Sequence, residues 1–526
     1  RDDRLSFLSE EQVKIFNKLL QKIFSYYSIN DIEKFDIIQI PILLKLGICF
    51  RFLNGANRAT TAIIEDYDYY KNEIKIHFYS PASANSYCLI SNGFLYEPIN
   101  FKTVKHRLCR SLFLLETVAW FAIPRATSFS IFVNDKQATL LWQNRGYFSL
   151  RYSDLIKRIG QHRDGGWVFI DRDKCADDNA EHFYRWVWKN TKQKNIYFIL
   201  RRDSPDWNRL SLEGFNLVEY GSLRHKQLLT NAELIISSQI DSYVYKVDGK
   251  SYLDGNRLIF LQHGVIKDDL SSWINSKPKI SLMLTSTIAE YNSIVGGDSL
   301  YLLTKREVKL FGLPRFEALN CLSHLKSSHK ILLVMPTWRK RLVENGIGSE
   351  ILADRFLVSN FYREWLSVLT SEAMINFVNL GYKIFFRLHP CLEVLKDSIK
   401  FPSYVDLIKH QSGVPIQELF VKSEFLVTEY SSVAFDFASM GKRVFYYQFD
   451  RDSFFDNHTY TKGYFNYESD GFGPVAYTLP QLQKFFAKYL YEKDALVSIY
   501  KDRLHGHIFC KNSCAKLYDE LSKSLI

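Results

Sequence analysis

The sequence predicts an α/β protein whose larger part consists of two doubly wound domains built on parallel sheets. From the run GGWVFIDRD at Gly165 onward, short apolar strand-like runs alternate with helical patterns, which is typical of parallel α/β sheets. The junction between the two domains is predicted at 312–320. The strand-like runs before it are NIYFILRR, AELIISSQ, RLIFLQHG and ISLMLTST, and those after it are KILLVMPTW, YKIFFRLHP, EFLVTEYSS and VFYYQF. With 526 residues, the chain is also too long to fold around a single hydrophobic core of ordinary size.

The part of the chain before these domains has a different pattern. Residues 1–57 are helix-like, as in EEQVKIFNKLLQKIFSYY, and predict a helical segment. Residues 58–145 contain strand-like runs such as EIKIHFYS and SFSIFVNDKQATLLW, the latter with a turn at Asn134-Asp135, and predict a small β-rich domain. We expect the two α/β domains at 146–320 and 321–480, and C-terminal helices, including CAKLYDELSKSL, at 481–526.

The chain is basic, with 68 Lys and Arg against 57 Asp and Glu, a formal charge of +11. Such an excess favours an acidic partner, which could be nucleic acid, an anionic membrane surface or a phosphate-rich substrate. The basic residues are scattered among acidic ones, with no basic block or zinc-finger spacing, so we expect no nucleic-acid binding.

The eight cysteines form no C-x-x-C pair and are typical of reduced thiols in the cytoplasm. One group, His505, His507, Cys510 and Cys514, matches no usual zinc spacing, so we predict no metal site. The apolar run LFLLETVAWFAI at 112–123 is shorter than the ~20 residues of a spanning helix and is expected to be a core element. Because the chain begins with Arg1 and shows no signal-peptide pattern, we expect it to be trimmed at its N-terminus and to meet membranes only from the cytoplasmic side.

Ligands of doubly wound sheets bind beyond the carboxyl ends of the strands, so polar groups at those ends are candidate site residues. Four predicted strands end in such groups: His263 and Gly264; Thr337, Trp338 and Arg339; Arg387 and His389; and Glu429, Ser431 and Ser432. Each histidine alone is more readily explained by a core or capping role, and the serines by capping the helix VAFDFASM, which ends at Gly441. Together these groups predict a cationic cleft that binds phosphate.

The ordered motifs LQHG, GLPR, MPTWR, RLHP, TEYSSVAFDFA and YTKGYFNYESDGFGPVAYT resemble the CDP-glycerol glycerophosphotransferase family. This family contains the membrane-associated polymerases of teichoic acids and related bacterial capsules. The resemblance runs from about Gly165 to the C-terminus. It implies a GT-B fold, in which two Rossmann-like domains face a cleft and the C-terminal one binds most of the donor.

The resemblance also implies roles for individual residues. His263 would be the general base, while His389 and Arg387 would contact or protonate the departing phosphate. Ser431 and Ser432 would bind phosphate, and Asp436 would orient either the donor or only its own helix. The other substrate-binding assignments are Gly264, Thr337, Arg339, Glu429 and Lys462. The donor would be CDP-glycerol or CDP-ribitol, the acceptor a phosphopolymer or a lipid-linked chain at an anionic membrane surface, and no cofactor is expected.

Two residues depart from the family pattern. Lys462 stands before Gly463 where relatives commonly have arginine, and Glu429 replaces the usual aspartate before Tyr430. Both changes weaken the assignment of CDP-glycerol as the donor, and the first ~150 residues carry no family motif. Two alternatives stay open on the sequence alone: a GT-B glycosyltransferase that uses a nucleotide sugar, and a non-catalytic polymer-binding protein.

Overall fold

The computed structural model describes residues 8–34, 42–53, 60–81, 84, 86–125, 128–142, 145–159, 165–253, 256–277, 279–323, 330–342, 349–395, 397–408, 415–455, 461–491, 500, 503 and 511–523. The helices described there are α1 Glu10–Phe24, α2 Ile29–Lys34, α3 Ile42–Phe52, α4 Tyr152–Ile159, α5 Asn179–Asn190, α6 Trp207–Leu212, α7 Leu223–Asn231, α8 Ser271–Asn275, α9 Ile288–Val295, α10 Pro314–Ser323, α11 Ser349–Leu357, α12 Asn360–Leu369, α13 Glu372–Asn379, α14 Ile416–Lys422, α15 Val433–Ser439, α16 Tyr467–Asp470, α17 Leu479–Tyr491 and α18 Ser513–Lys523.

The strands in the same part of the chain are β1 Thr61–Asp68, β2 Glu73–Ser80, β3 Tyr87–Ser91, β4 Phe94–Tyr96, β5 Asn100–Leu108, β6 Ser111–Ala122, β7 Ser128–Val133, β8 Lys136–Gln137, β9 Thr139–Trp142, β10 Arg145–Tyr147, β11 Leu150–Arg151, β12 Trp167–Ile170, β13 Ile196–Leu200, β14 Leu217–Glu219, β15 Leu234–Ser237, β16 Lys246–Val247, β17 Lys250–Ser251, β18 Arg257–Phe260, β19 Leu282–Thr285, β20 Val308–Leu310, β21 Ile331–Val334, β22 Lys383–Arg387, β23 Val405–Ile408, β24 Phe425–Thr428, β25 Arg443–Tyr447 and β26 Val475–Ala476.

The N-terminal part is a β-rich unit with helices packed on it. Its described strands form one sheet in the order β10-β9-β1-β2-β6-β5 and a second in the order β11-β7-β3-β4, with β8 beside β7. Apolar side chains such as Phe121 and Ile131 fill a core between them, and α3 packs on β6. The run at 112–123 lies mostly in β6 and is buried, which confirms that it is a core element. None of the described helices combines the length and apolar character that crossing a membrane requires.

Two all-parallel sheets follow. The strand order is β14-β13-β12-β15-β18-β19-β20 in the first and β23-β22-β21-β24-β25-β26 in the second. The strands are short, continuous apolar runs because both of their faces are covered by helices. The chain order reverses between β12 and β15 in the first sheet and between β21 and β24 in the second. These reversals are the points where doubly wound sheets open a crevice for ligands. The two Rossmann-like sheets confirm the predicted GT-B fold.

One apolar core joins the two sheet domains. Helices α5 and α10 of the first domain pack on each other, and α10 also contacts α14 and α15 of the second domain. The C-terminal helix α18 returns to the first domain, where Leu517 and Leu521 belong to the same buried cluster as Trp167 and Phe183. The domains are therefore packed together at the base of the crevice.

The β-rich unit is attached to the first sheet domain by buried charges. The guanidinium of Arg306, next to β20, donates hydrogen bonds to Glu73 at 2.9 Å and to Asp68. The guanidinium carbon, Cζ, lies 4.3 Å from the ring centroid of Trp120. Burial alone would raise the pKa of Asp68, but Arg306 and Arg257 hold it below its usual value. Lys75 and Glu307 form a second buried pair at 3.0 Å.

We expect Arg306→Gln to destabilise the protein by about 3 to 5 kcal/mol, because the change leaves buried carboxylates without their counter-charge. Urea titration followed by circular dichroism measures the effect. The matched control is Arg201→Gln, which removes a partly exposed pair with Asp203 and should cost less than about 1 kcal/mol. Equal stability losses in the two variants would contradict the assigned importance of the interface.

Candidate active site

The candidate active site is a cavity of about 380 Å³ between the carboxyl ends of the two parallel sheets. Residues that follow β12, β15 and β18 line one wall, and residues that follow β21, β22 and β24 line the other. Nine of the residues singled out from the sequence line it: His263, Gly264, Thr337, Trp338, Arg387, His389, Ser431, Ser432 and Asp436. Most of the candidates chosen because they follow the carboxyl ends of strands therefore lie around one cavity.

His263 is held by a carboxylate at the N-terminus of helix α5. Its Nδ1 contacts Oδ2 of Asp178, the residue that caps α5, and its Nε2 lies 3.4 Å from a guanidinium nitrogen of Arg172. Burial alone would raise the pKa of Asp178, but His263 and Arg315 lower it below its usual value. Asp178 is therefore ionised, which favours the proton on Nδ1 of His263 and leaves Nε2, on a ring 58% exposed, as the acceptor facing the cleft.

The opposite wall carries cationic and hydroxyl groups. Arg387, at the end of β22, is only 4% exposed and lines the cavity. His389 accepts a hydrogen bond at Nδ1 from the Cys391 N–H at 3.3 Å, and its ring centroid lies 6.1 Å from that of Trp338. This wall can supply positive charge and donors to an anionic ligand.

The paired serines do not act as ordinary helix caps. Ser432 occupies the N-cap position of α15 without a side-chain hydrogen bond to the helix, and Ser431 Oγ accepts only a long contact of 3.4 Å from the Val433 N–H. Both residues line the cavity. Their hydroxyl groups are thus placed to contact a bound ligand.

Gly264 lies against Ser432 of the opposite wall. In the structure, a β-carbon at this position would collide with Oγ of Ser432. Gly264 therefore allows the two walls to meet at the base of the cleft.

Three predicted substrate-binding residues do not line the cavity. Arg339 is buried and bonds Asp450 at 2.7 and 3.2 Å and Glu429 at 3.3 Å. Burial raises the pKa of Glu429 to about 6, although Arg339 and the Thr337 N–H oppose this. Lys462 is exposed and follows Thr461, which pairs with Asp269 of the first domain. Their contact with substrate stays a prediction.

Three functional candidates were missed by the sequence reasoning: Arg172, Asp178 and Arg315. Arg172 lies two positions after the strand run WVFI, so a search for polar residues at the ends of the strands could have found it. Arg315 lies in the motif GLPR, which was noted only as part of the resemblance. No group of three or more His, Cys, Asp or Glu residues in the described ranges could hold a metal ion. Of the histidine and cysteine group near the C-terminus, His505, His507 and Cys510 lie outside the described residues.

Comparison with curated proteins finds relatives whose names refer to teichoic acid synthesis. The chain is 34% identical over 319 residues to the minor teichoic acid biosynthesis protein GgaB of Bacillus subtilis, which is 59% of this chain and 34% of that protein. It is 27% identical over 161 residues to a teichoic acid poly(glycerol phosphate) polymerase of Staphylococcus epidermidis, 30% of this chain and 19% of that one. It is 28% identical over 185 residues to a teichoic acid poly(ribitol-phosphate) polymerase of Bacillus spizizenii, 34% of this chain and 26% of that one.

The chain thus spans about a third or less of the length of these curated relatives. Among solved structures, one of the wall teichoic acid polymerase TagF is 17% identical, covers 71% of this chain and 92% of that chain, and has a TM-score of 0.49. The sequence pattern of CDP-glycerol:poly(glycerophosphate) glycerophosphotransferases matches residues 156–508. Since this match covers about two thirds of the chain, the protein belongs to the CDP-glycerol:poly(glycerophosphate) glycerophosphotransferase family.

Proposed function

We propose that this chain transfers an alditol phosphate from a CDP-alditol, CDP-glycerol or CDP-ribitol, to the hydroxyl end of a growing phosphopolymer and releases CMP. The observation that carries the proposal is a carboxylate-held histidine on one wall of the cleft facing cationic and hydroxyl groups on the other. Family membership supports the reaction class, and the names of the relatives support an alditol phosphate as the transferred group.

On the acceptor side, His263 acts as the general base. Its Nε2 takes the proton of the acceptor hydroxyl while that oxygen attacks the phosphorus that carries the alditol. Asp178 orients the ring through Nδ1 and stabilises the imidazolium that forms. The new bond is the phosphodiester that extends the polymer.

On the donor side, the bond between the attacked phosphorus and the bridging oxygen of the diphosphate breaks, and CMP leaves with that oxygen. Negative charge accumulates on the departing phosphate, where Arg387 stabilises it and His389 protonates it. The hydroxyls of Ser431 and Ser432 hold the phosphate oxygens in place.

The reaction class is tested with purified protein, a short phosphopolymer acceptor and separate donors: CDP-glycerol, CDP-ribitol and common UDP-sugars. We expect CMP release with a CDP-alditol and no product with UDP-sugars. Release of UDP would instead identify a glycosyltransferase. Binding of polymer without turnover of any donor would identify a non-catalytic protein.

The two histidines should differ in their kinetic effects. His263→Ala should lower turnover by about 10² to 10⁴-fold with little change in donor affinity, because general base catalysis acts on the acceptor. His389→Ala should weaken donor binding and slow turnover together. Calorimetry with the donor and CMP-release kinetics measure both quantities, and His106→Gln, in the β-rich unit, is the control. Full activity of His263→Ala would show that the base lies elsewhere.

An anionic membrane surface is the partner that we propose for the N-terminal helix, at the cytoplasmic face of the cell membrane. Helix α1 leaves Ile15, Leu19 and Ile23 each more than half exposed at four-residue spacing. Lys14, Lys18 and Lys22 repeat at the same spacing and are also exposed, so a basic row lies beside the apolar one. A helix of this kind can lie in a membrane interface with its lysines at anionic headgroups.

Membrane binding is measured by co-sedimentation with anionic and neutral vesicles. We expect binding to anionic vesicles that weakens with salt, and a strong loss in the triple variant Lys14→Glu, Lys18→Glu, Lys22→Glu, since each lysine contributes about 1 kcal/mol near such a surface. The control carries the same charge change at Lys189, Lys484 and Lys488, which are exposed elsewhere. Equal binding to both vesicle types at low salt would refute the proposal.

A further inference from the structure

The turn that presents His263 has a strained backbone. Gln262, directly before it, has a φ of 66°, although it is buried and is not a glycine. A left-handed conformation costs such a residue about 1 to 3 kcal/mol and persists only where the surroundings enforce it. The position of the histidine therefore depends on what holds this turn.

Two side chains from other elements hold it. Asn179, in α5, donates from Nδ2 to the carbonyl oxygen of Gln262 at 2.7 Å. Arg315, in α10, donates from a terminal guanidinium nitrogen to the carbonyl oxygen of His263. The two are linked, because Asn179 Oδ1 accepts the backbone N–H of Arg315 at 3.0 Å.

Arg315 also contacts both carboxylates beneath the cleft. The nitrogen that bonds the His263 carbonyl lies 2.6 Å from Oδ1 of Asp178, the residue that holds the imidazole. The other side of the guanidinium donates to Asp436 at 2.7 and 3.2 Å. Asp436 belongs to α15, the helix that starts directly after Ser431 and Ser432. One buried cation thus touches the backbone of the base, the carboxylate of the base and the helix of the phosphate site.

We propose that Arg315 is a positioning residue: it fixes His263 in the cleft, balances the charge of Asp178 and couples the base to helix α15 on the donor wall. This inference rests on the proposed function, in which His263 accepts the proton of the acceptor hydroxyl. Arg315 itself does not take part in the proton transfer. It makes the transfer possible by keeping the acceptor nitrogen in place.

The charges around His263 determine what removal of Arg315 does. Asp178 and Arg172 face the ring directly, Arg315 lies behind Asp178, and Asp436 lies beyond Arg315. Without Arg315, the charge of Asp178 is no longer balanced and stabilises the imidazolium form of His263. The neutral imidazole that serves as the base is then present only at higher pH.

The experiment compares Arg315→Gln and Arg315→Lys with wild type. Turnover as a function of pH, donor affinity by calorimetry and the NMR titration of the His263 ring, assigned with His263→Asn, are the three measurements. We expect Arg315→Gln to lower turnover by about 10²-fold, far more than it lowers donor affinity, since misplacing a reacting group by about 1 Å has an effect of that size. The acid limb of kcat/KM and the ring titration should both move to higher pH, because a cation next to the carboxylate that holds the ring is lost.

Arg315→Lys keeps the positive charge but loses the fork of nitrogens. This variant should lower turnover while leaving the acid limb of the kcat/KM profile near its wild-type position. It also allows the inference to be tested if Arg315→Gln does not fold. The matched control is Arg306→Gln, a buried arginine between two carboxylates outside the cleft, which should move neither the limb nor the titration.

Unchanged turnover in both Arg315 variants would overturn the inference. So would a loss of activity in Arg315→Gln without any shift in the acid limb and the ring titration, because Arg315 would then have only a structural role. If the wild-type chain turns over no CDP-alditol, the proposed function fails. The ring titration still decides, without turnover, whether Arg315 controls the protonation of His263.

Discussion

The site depends on one buried cation that is shared by two carboxylates, one from each half of the cleft. Arg315 bonds Asp178 of the first sheet domain and Asp436 of the second, and burial of all three makes separation of the partners costly. Burial raises the pKa of Asp436 even though Arg315 opposes this effect, so the guanidinium of Arg315 is the group that stabilises the ionised carboxylate. Gly264 also packs closely against Ser432, which adds a steric constraint between the same two walls. Together these contacts fix the distance between the wall that carries the histidine and the wall that carries the hydroxyls.

The location of the cleft follows from the topology of the sheets. Parallel strands align their carboxyl ends at one edge, and the reversal of strand order leaves a gap there that no crossover helix covers. Asp171 and Arg172 follow β12, and Met335 to Trp338 follow β21, so each gap is lined by residues next to the apolar strands. Rigid strands hold these residues in place, so the histidine and the cationic wall face each other across the cleft.

Much of this arrangement could be predicted from the sequence, because it depends on local patterns. The apolar runs gave the strands, and the residues directly after them gave His263, Arg387, His389 and the serine pair. Arg315 and Asp178 could not be found in this way, since they lie 137 positions apart and meet only through the packing of α10 on α5. For Arg339 and Glu429, contact with substrate stays a prediction, but the structure shows where their side chains lie. Adjacent residues at a strand end point in different directions, and these two point into a buried ion pair rather than into the cleft.

The packing of α18 has a consequence for how the protein is made. Leu517 and Leu521 fill part of the core under β12, yet they are synthesised after the whole second sheet domain. Domains generally fold in order as they leave the ribosome, but here the first sheet domain cannot close its apolar core until α18 emerges. Until α18 is available, the side chains of Trp167 and Phe183 lack the contacts with Leu517 and Leu521 that complete their cluster. Until helix α18 has been synthesised, nascent chains of this protein therefore expose apolar surface of the first sheet domain.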